Sequence, residues 1–280
     1  MALEYGVRWF RMNLGTSILK TVVFLRKSSA EQQSCGTAFF VRTRENETFL
    51  VTCRHVARHV HKRPFVLRAN AHDGNSKDIQ VGPIDWRCHD DMTIDIAVTP
   101  YEWSEDLDCY AFPLKNCLTS NMRKARRIAE GNLAQVVGLF SFFEGNRRSS
   151  PVVHSGSIAM VPENDPVPIL DSIYGQIEVA SYLVETQASE GASGSPVFVR
   201  KPVGAKAAEE GLSVKPKAYG AIFLLGVYQG SWKKLNPDLM QDAGEKGRIR
   251  LPGGMGLVVP GDKIIETIEQ ASKGIYSSPD

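Results

Sequence analysis

The chain has 280 residues, a formal net charge of +2, 42% hydrophobic residues and 23% charged residues. That length can bury a substantial core in one large or two small domains, and the composition is that of a soluble globular protein. The small net charge excludes a global field for nucleic acid or a membrane surface, and an aromatic content of 9% argues against bulk disorder.

In chain order, the first residues, "MALEYGVRWFRMNLGTSILKTVVFLRKSS", mix acidic, aromatic and basic side chains, with no long apolar core before a small-residue cleavage site. No signal peptide is expected, and residues 1–16 read as an arm. β-like segments follow: "SILKTVVFL" (17–25), "GTAFFVRT" (36–43), "TFLVTC" (48–53), "FVLRA" (65–69) and "DIAVTP" (95–100). After "PLKNCLTSNMRKARRIAEGN" (113–132), a polar and basic stretch read as a connection, come "LAQVVGLF" (133–140), "VVHSGSIAMV" (152–161), "IEVASYLVE" (177–185), "GSPVFVR" (194–200), "YGAIFLLGVY" (219–228) and "GMGLVVP" (254–260). These runs are rich in Val, Ile, Phe and Tyr and are punctuated by Gly, Pro, Asn and Asp. A long exposed hairpin loop is expected over 201–218, rich in Lys, Ala, Gly and Pro. Two helices are expected: a short one after His55 ("VARHVHK") and a closing one, "GDKIIETIEQASK" (261–273), with Asp262 as N-cap and Ile264, Ile265 and Ile268 on one face. Many short strands plus one terminal helix indicate an all-β barrel or sandwich.

Five cysteines (Cys35, Cys53, Cys88, Cys109, Cys117), odd in number and without a C-x-x-C pair, argue against a disulfide framework and a structural zinc site. The longest apolar run, "AIFLLGVY" (221–228), is too short to span a bilayer. A cytoplasmic protein without membrane contact, metal or cofactor is the expectation.

Three stretches carry chemistry. "EGASGSPVF" (190–198) places Ser193 on a tight turn between Ala192 and Gly194, just before a strand. A nucleophilic serine needs such a turn, with backbone N–H groups aimed beside its hydroxyl; Gly191 gives the backbone that freedom. The hydroxyl also needs a base and a group to orient the base. "FLVTCRHVA" (49–57) offers His55 after an apolar strand, and "TIDIAVTP" (93–100) offers Asp95 ahead of the buried-looking Ile96-Ala97-Val98, where a charge demands a partner. Asp85, Asp90 and Asp91 are its rivals. His55 and His59 also have the i, i+4 spacing of a helical metal pair, with Cys88-His89 as further ligands; solvated histidines on a short helix are the plainer reading. "RKARR" (123–127) reads as a solvated linker face rather than a phosphate site, and the Phe142-Phe143 pair as a loop tip or part of the core.

"VTCRH", "DIAV" and "GASGSP", in that order, resemble the trypsin/chymotrypsin-like serine peptidases, in particular bacterial-type members without disulfides or a zymogen N-terminus. "CGTAFFV" (35–41) resembles the strand before the histidine strand, and "GVYQGS" (226–231) and "GGMGLVVP" (253–260) the strands lining the substrate cleft. The resemblance covers roughly residues 17–272 and implies two six-stranded antiparallel Greek-key β-barrels, with the active site between them and a C-terminal α-helix. The first barrel would span 17–112 and carry His55 and Asp95. A linker at 113–131 leads to the second, 132–260, which carries Ser193, and the helix and tail occupy 261–280. His55 is then the general base and acid, Asp95 the orienter, and the N–H groups of Gly191 and Ser193 the oxyanion donors. Ser195 is not the nucleophile. The pocket for the residue before the cleaved bond would have Gln187 at its floor, Tyr228, Gln229, Gly230 and Gly256 as walls and Glu190 at its mouth; a neutral floor implies an uncharged or polar residue there.

The sequence departs from the family in having Cys53 and Arg54 before the histidine, with Arg54 expected at the cleft rim or in solvent. It also lacks an Ile-Val-Gly-Gly start, so the enzyme would be active as made, or governed by a protein partner or another conformational step. A serine endopeptidase acting on proteins or peptides is the first expectation. A protease-like binding or scaffolding module with little turnover is the alternative.

Overall fold

The computed structural model describes residues 14–28, 34–140, 145, 147–163, 165–171, 175–188, 191–201, 221–232 and 254–279. Much of the 201–218 loop, the Phe142-Phe143 pair and Glu190 lie outside them.

In the first half, α1 (Leu14–Leu19) leads into β1 (Val22–Lys27), β2 (Ser34–Arg42), β3 (Thr48–Thr52), α2 (Arg54–Ala57), β4 (Phe65–Asn70), β5 (Ser76–Val81), β6 (Arg87–Cys88), β7 (Ala97–Pro100) and β8 (Phe112–Pro113). These strands form one sheet in the order β5-β4-β1-β2-β3-β7-β6, with β8 added to β2. The expected closed six-stranded barrel is therefore not what the described residues of this half form: seven strands run as a path that does not close, with β8 off it. The second half meets the expectation. β9 (Leu133–Gly138), β10 (Val152–Met160), β13 (Tyr182–Glu185), β14 (Ser195–Lys201), β15 (Ala221–Ser231) and β16 (Met255–Pro260) close a barrel in the order β10-β13-β16-β15-β14-β9. A hairpin of β11 (Val167–Asp171) and β12 (Gly175–Val179) stands beside it.

The strands follow from their apolar faces. Val23, Phe24 and Leu25 of β1, Phe39 to Val41 of β2 and Leu50 and Val51 of β3 are almost wholly buried in one core, which continues into the second half through Val137, Phe198 and Val227. A smaller core of Val136, Tyr182, Val184, Val197 and Tyr228 fills the closed barrel.

Two expected strands change and one strand is unexpected. Residues 17–19 are helical rather than extended, because Thr21 Oγ1 donates to the Ile18 carbonyl (2.7 Å) and closes a turn that carries Ile18 into the core. "IEVASYLVE" is two strands, broken at Ala180-Ser181, with β12 turned away to pair with β11. β11 escapes a pattern reading because Pro168 interrupts it. The proline faces solvent on the hairpin, where a missing N–H costs no ladder bond, and its carbonyl accepts from Trp232 Nε1 (3.1 Å).

The connection is also structured, with a 3₁₀ turn (Leu114–Asn116) and α3 (Ser120–Ala125), whose Thr119 side chain caps the Met122 N–H. α4 (Gly261–Ser272) buries Ile264 and Ile268 as its periodicity predicts, with Ile265 half-buried. Its N-cap is Pro260, not Asp262; Asp262 sits in the first turn, and burial pushes its carboxyl above the ordinary value. No helix among the described residues is long and apolar enough to cross a membrane.

Candidate active site

Strand register brings the three motifs together. β3 and β7 pair antiparallel with Thr52 opposite Ala97, so the chain leaving β3 toward His55 runs beside the chain entering β7 from Asp95. Asp95 grips His55 twice: Oδ2 lies 2.7 Å from the ring Nδ1, and Oδ1 accepts the His55 backbone N–H at 3.0 Å. Because both oxygens are used, the carboxylate fixes the ring and the backbone it hangs from. The Asp95 side chain is 12% exposed and the His55 side chain 42%. Burial alone would raise the Asp95 carboxyl, but the His55 ring and amide and the Arg54 cation outweigh it and hold it below the ordinary carboxylate range. The rival acids lie elsewhere: Asp91 holds Thr93, Asp90 meets Gln270, and Asp85 faces His61 and Lys62.

The serine turn is held against this assembly from both halves. Ser195 opposes Tyr228 in the β14–β15 pair, so Ser193 lies beside Gln229 and Gly230. The Tyr228 carbonyl receives the Gly194 N–H (2.9 Å) from the serine turn and the Cys53 thiol (3.4 Å) from the histidine turn. Thr37 is a third tether. Its N–H donates to the Ser193 carbonyl (2.9 Å), and its hydroxyl donates to the Gly191 carbonyl (3.1 Å) while accepting the Leu139 N–H (2.8 Å). Gly191 (φ +91°) and Gly194 (φ +86°) take left-handed backbone, and a Cβ on Gly194 would come within 2.1 Å of the Thr37 carbonyl oxygen. The N–H groups of Gly191 and Ser193 carry no hydrogen bond among the described residues.

Ser193 Oγ donates to the Gln229 carbonyl at 2.9 Å. Its single proton is thus directed to β15. Ser195 is fully buried, with its hydroxyl unpartnered among the described residues.

Arg54 is not at the rim. It is 3% exposed and points into the protein, where its guanidinium donates to the Met92 carbonyl (3.0 Å), the His89 carbonyl and Ser277 Oγ (3.0 Å). The segment after α4 is pinned in the same place: Ser277 exchanges backbone hydrogen bonds with Cys88 (2.9 and 3.2 Å). Arg54 therefore clamps the 89–92 loop, which leads into Asp95, onto the turn that carries His55. Arg54→Met should remove the fixed donor of these carbonyls and lower stability by about 3 kcal/mol, read as a lower urea midpoint with an unchanged slope.

The metal reading meets a different arrangement. α2 ends at Ala57, so His55 and His59 do not share a helix face. Cys53, His55 and Asp95 do place ligand atoms within 4.8 Å of one another. However, Cys53 is fully buried, burial pushes its thiol well above the ordinary value, and His55 Nδ1 is already on Asp95. A thiol that resists ionisation is a poor metal ligand. "RKARR" is not a solvated face throughout: Arg123 is buried and pairs with Glu163 (3.0 Å), and Arg126 lies over the Phe223 ring (4.4 Å).

Of the expected pocket, Gln187 is exposed, Gln229, Gly230 and Gly256 are buried, and Tyr228 is only 2% exposed. Part of the 141–150 segment is stitched to the first half, with the Ser76 N–H on the Arg147 carbonyl (2.8 Å) and Asn70 exchanging two hydrogen bonds of 2.9 Å with Ser149. Reading the sequence missed Thr37, Arg54 and the Gln229 carbonyl as parts of the site. Each acts through contacts far along the chain, and only the small residue after Gly36 in "CGTAFFV" hints at a close approach.

No protein-family model matches the chain, and no curated protein matches it. Among solved structures it is similar to the MamO protease domain from Magnetospirillum magneticum, with 15% identity, a TM-score of 0.50, and coverage of 89% of this chain and 96% of that one. It is also similar to a serine endoprotease from Yersinia pestis (14% identity, TM-score 0.49, 93% and 66% coverage) and to the Rv3671c protease from M. tuberculosis (13%, 0.49, 96% and 86%). The fold is that of the trypsin/chymotrypsin-like serine peptidases.

Proposed function

We propose that the chain is a serine endopeptidase that cleaves proteins or peptides in the cleft between its two halves. The observation that carries this reading is the double grip of Asp95 on His55, at 2.7 and 3.0 Å, beside a Gly191–Gly194 turn that presents Ser193. Ser193 Oγ attacks the carbonyl carbon while His55 takes its proton, and Asp95 holds the tautomer and stabilises the imidazolium. The Gly191 and Ser193 N–H groups receive the oxyanion. His55 then protonates the leaving amine, and water, activated by the same ring, releases the acyl group. Free cysteines throughout fit work in a reducing compartment such as the cytoplasm.

The hydrogen bond from Ser193 to Gln229 supports a second element of this reading: the resting enzyme is disengaged, and substrate or a protein partner turns the hydroxyl toward His55. A binding module without turnover would keep that bond in every state. A fluorophosphonate probe tests both. Labelling that maps to Ser193 and is lost in Ser193→Ala supports the peptidase, and labelling that appears only with an added partner supports the gated form. Equal labelling of wild type and Ser193→Ala would refute the assignment.

A further inference from the structure

We infer that Tyr228 fills the space beside the nucleophile, so that the residue before the cleaved bond has to be small: glycine, alanine or serine. This rests on the peptidase reading and adds its substrate class. A peptide attacked by Ser193 places its carbonyl carbon at Oγ, and the Gln229 carbonyl, 2.9 Å from Oγ, is the acceptor at hand for its neighbouring N–H. Two residues without side chains lie next to this point on adjacent strands. At Gly230, Ser193 Oγ, 3.9 Å away, is among the described residues the only heavy atom within 4 Å of where a Cβ would stand, apart from the immediate chain neighbours. Gly256 opposes Ser231, the next residue along β15. Two such positions would open a deep slot if nothing else entered it.

The Tyr228 ring enters it. A Cβ on Gly256 would lie 2.4 Å from Tyr228 Cε2, 3.2 Å from its Cζ and 3.2 Å from Thr186 Cγ2. The ring thus lies against the Gly256 backbone in the volume that the missing side chain leaves. It has little freedom to withdraw. Tyr228 is 2% exposed, and its carbonyl is held by both the Gly194 N–H and the Cys53 thiol. The room left lies over Gly230, enough for a methyl or hydroxymethyl group. None of Thr186, Tyr228 and Gly256 is charged, so these three described residues offer nothing to balance a lysine, arginine or acidic side chain.

Peptidyl diphenyl phosphonates that differ only in the side chain next to phosphorus test this on the full chain, with a fluorophosphonate that lacks that side chain as reference. Wild type should react with the alanine analogue at least about tenfold faster than with the valine analogue, and more slowly still with the phenylalanine and lysine analogues. Tyr228→Val should raise the phenylalanine-to-alanine rate ratio by about tenfold or more. If that variant does not fold, the wild-type ratios decide. Fluorophosphonate labelling together with phenylalanine or lysine rates equal to alanine overturns the filled pocket and leaves the peptidase reading intact, as does a folded Tyr228→Val with unchanged ratios. Absence of labelling by every reagent overturns the peptidase reading and this inference with it.

Discussion

Ser193→Ala is expected to lower kcat against any cleaved peptide by about a millionfold, because nucleophile and base act as one unit and neither retains most of its effect alone. A small residual rate over water should persist from the backbone donors of the turn. Ser195→Ala is the informative comparison. Ser195 lies two residues away in the same small-residue run, but it is fully buried and its hydroxyl has no partner among the described residues. Its loss should leave kcat within a few-fold of wild type. Single-turnover kinetics on a fluorogenic peptide, with urea midpoints to show that both variants are folded, would separate the two serines. Comparable losses in both would move the nucleophile away from Ser193.

Asp95→Asn should cost about four orders of magnitude in kcat while leaving the fold in place. An asparagine amide that donates to His55 Nδ1 forces the ring proton onto Nε2, the nitrogen that has to accept from Ser193. The variant should keep its KM within a few-fold, because Asp95 touches the base and not the substrate. The effect also has a pH signature. The Asp95 carboxyl is held lower in the folded chain than in the unfolded one. Its ionised form therefore adds stability that is fully present above the unfolded value, near 4, and is lost as the pH falls through the lowered folded value. Wild type should lose urea resistance over that acid window more steeply than Asp95→Asn. Parallel pH profiles for the two proteins would show that the His55–Asp95 pair does not carry this linkage.

Arg54 and Tyr228 show why residue type alone misplaces a side chain. An arginine next to the base reads as a rim residue, because a buried cation is costly. Here its guanidinium finds carbonyl and hydroxyl acceptors on a loop 35 to 38 residues away and on Ser277, 223 residues away, and those acceptors offset the burial. A tyrosine on an expected cleft strand reads as a pocket wall, yet its ring lies against the backbone of Gly256, in the volume that the missing side chain leaves.

The sequence by itself determined which residues are candidates for the chemistry and in what order: the apolar runs ahead of His55 and after Asp95, the small-residue turn around Ser193, and the period that buries Ile264 and Ile268 in the last helix. Those signals are local, set by backbone conformation and by which face must leave water. Tertiary structure alone decided that Thr52 faces Ala97 and Ser195 faces Tyr228, that among the described residues the second half closes a barrel and the first does not, that Ser193 rests on the Gln229 carbonyl, and that Thr37 ties the serine turn to the first half. These depend on strand register and on hydrogen bonds between groups far apart in the chain, and a one-residue slip would rewrite them without changing any local pattern.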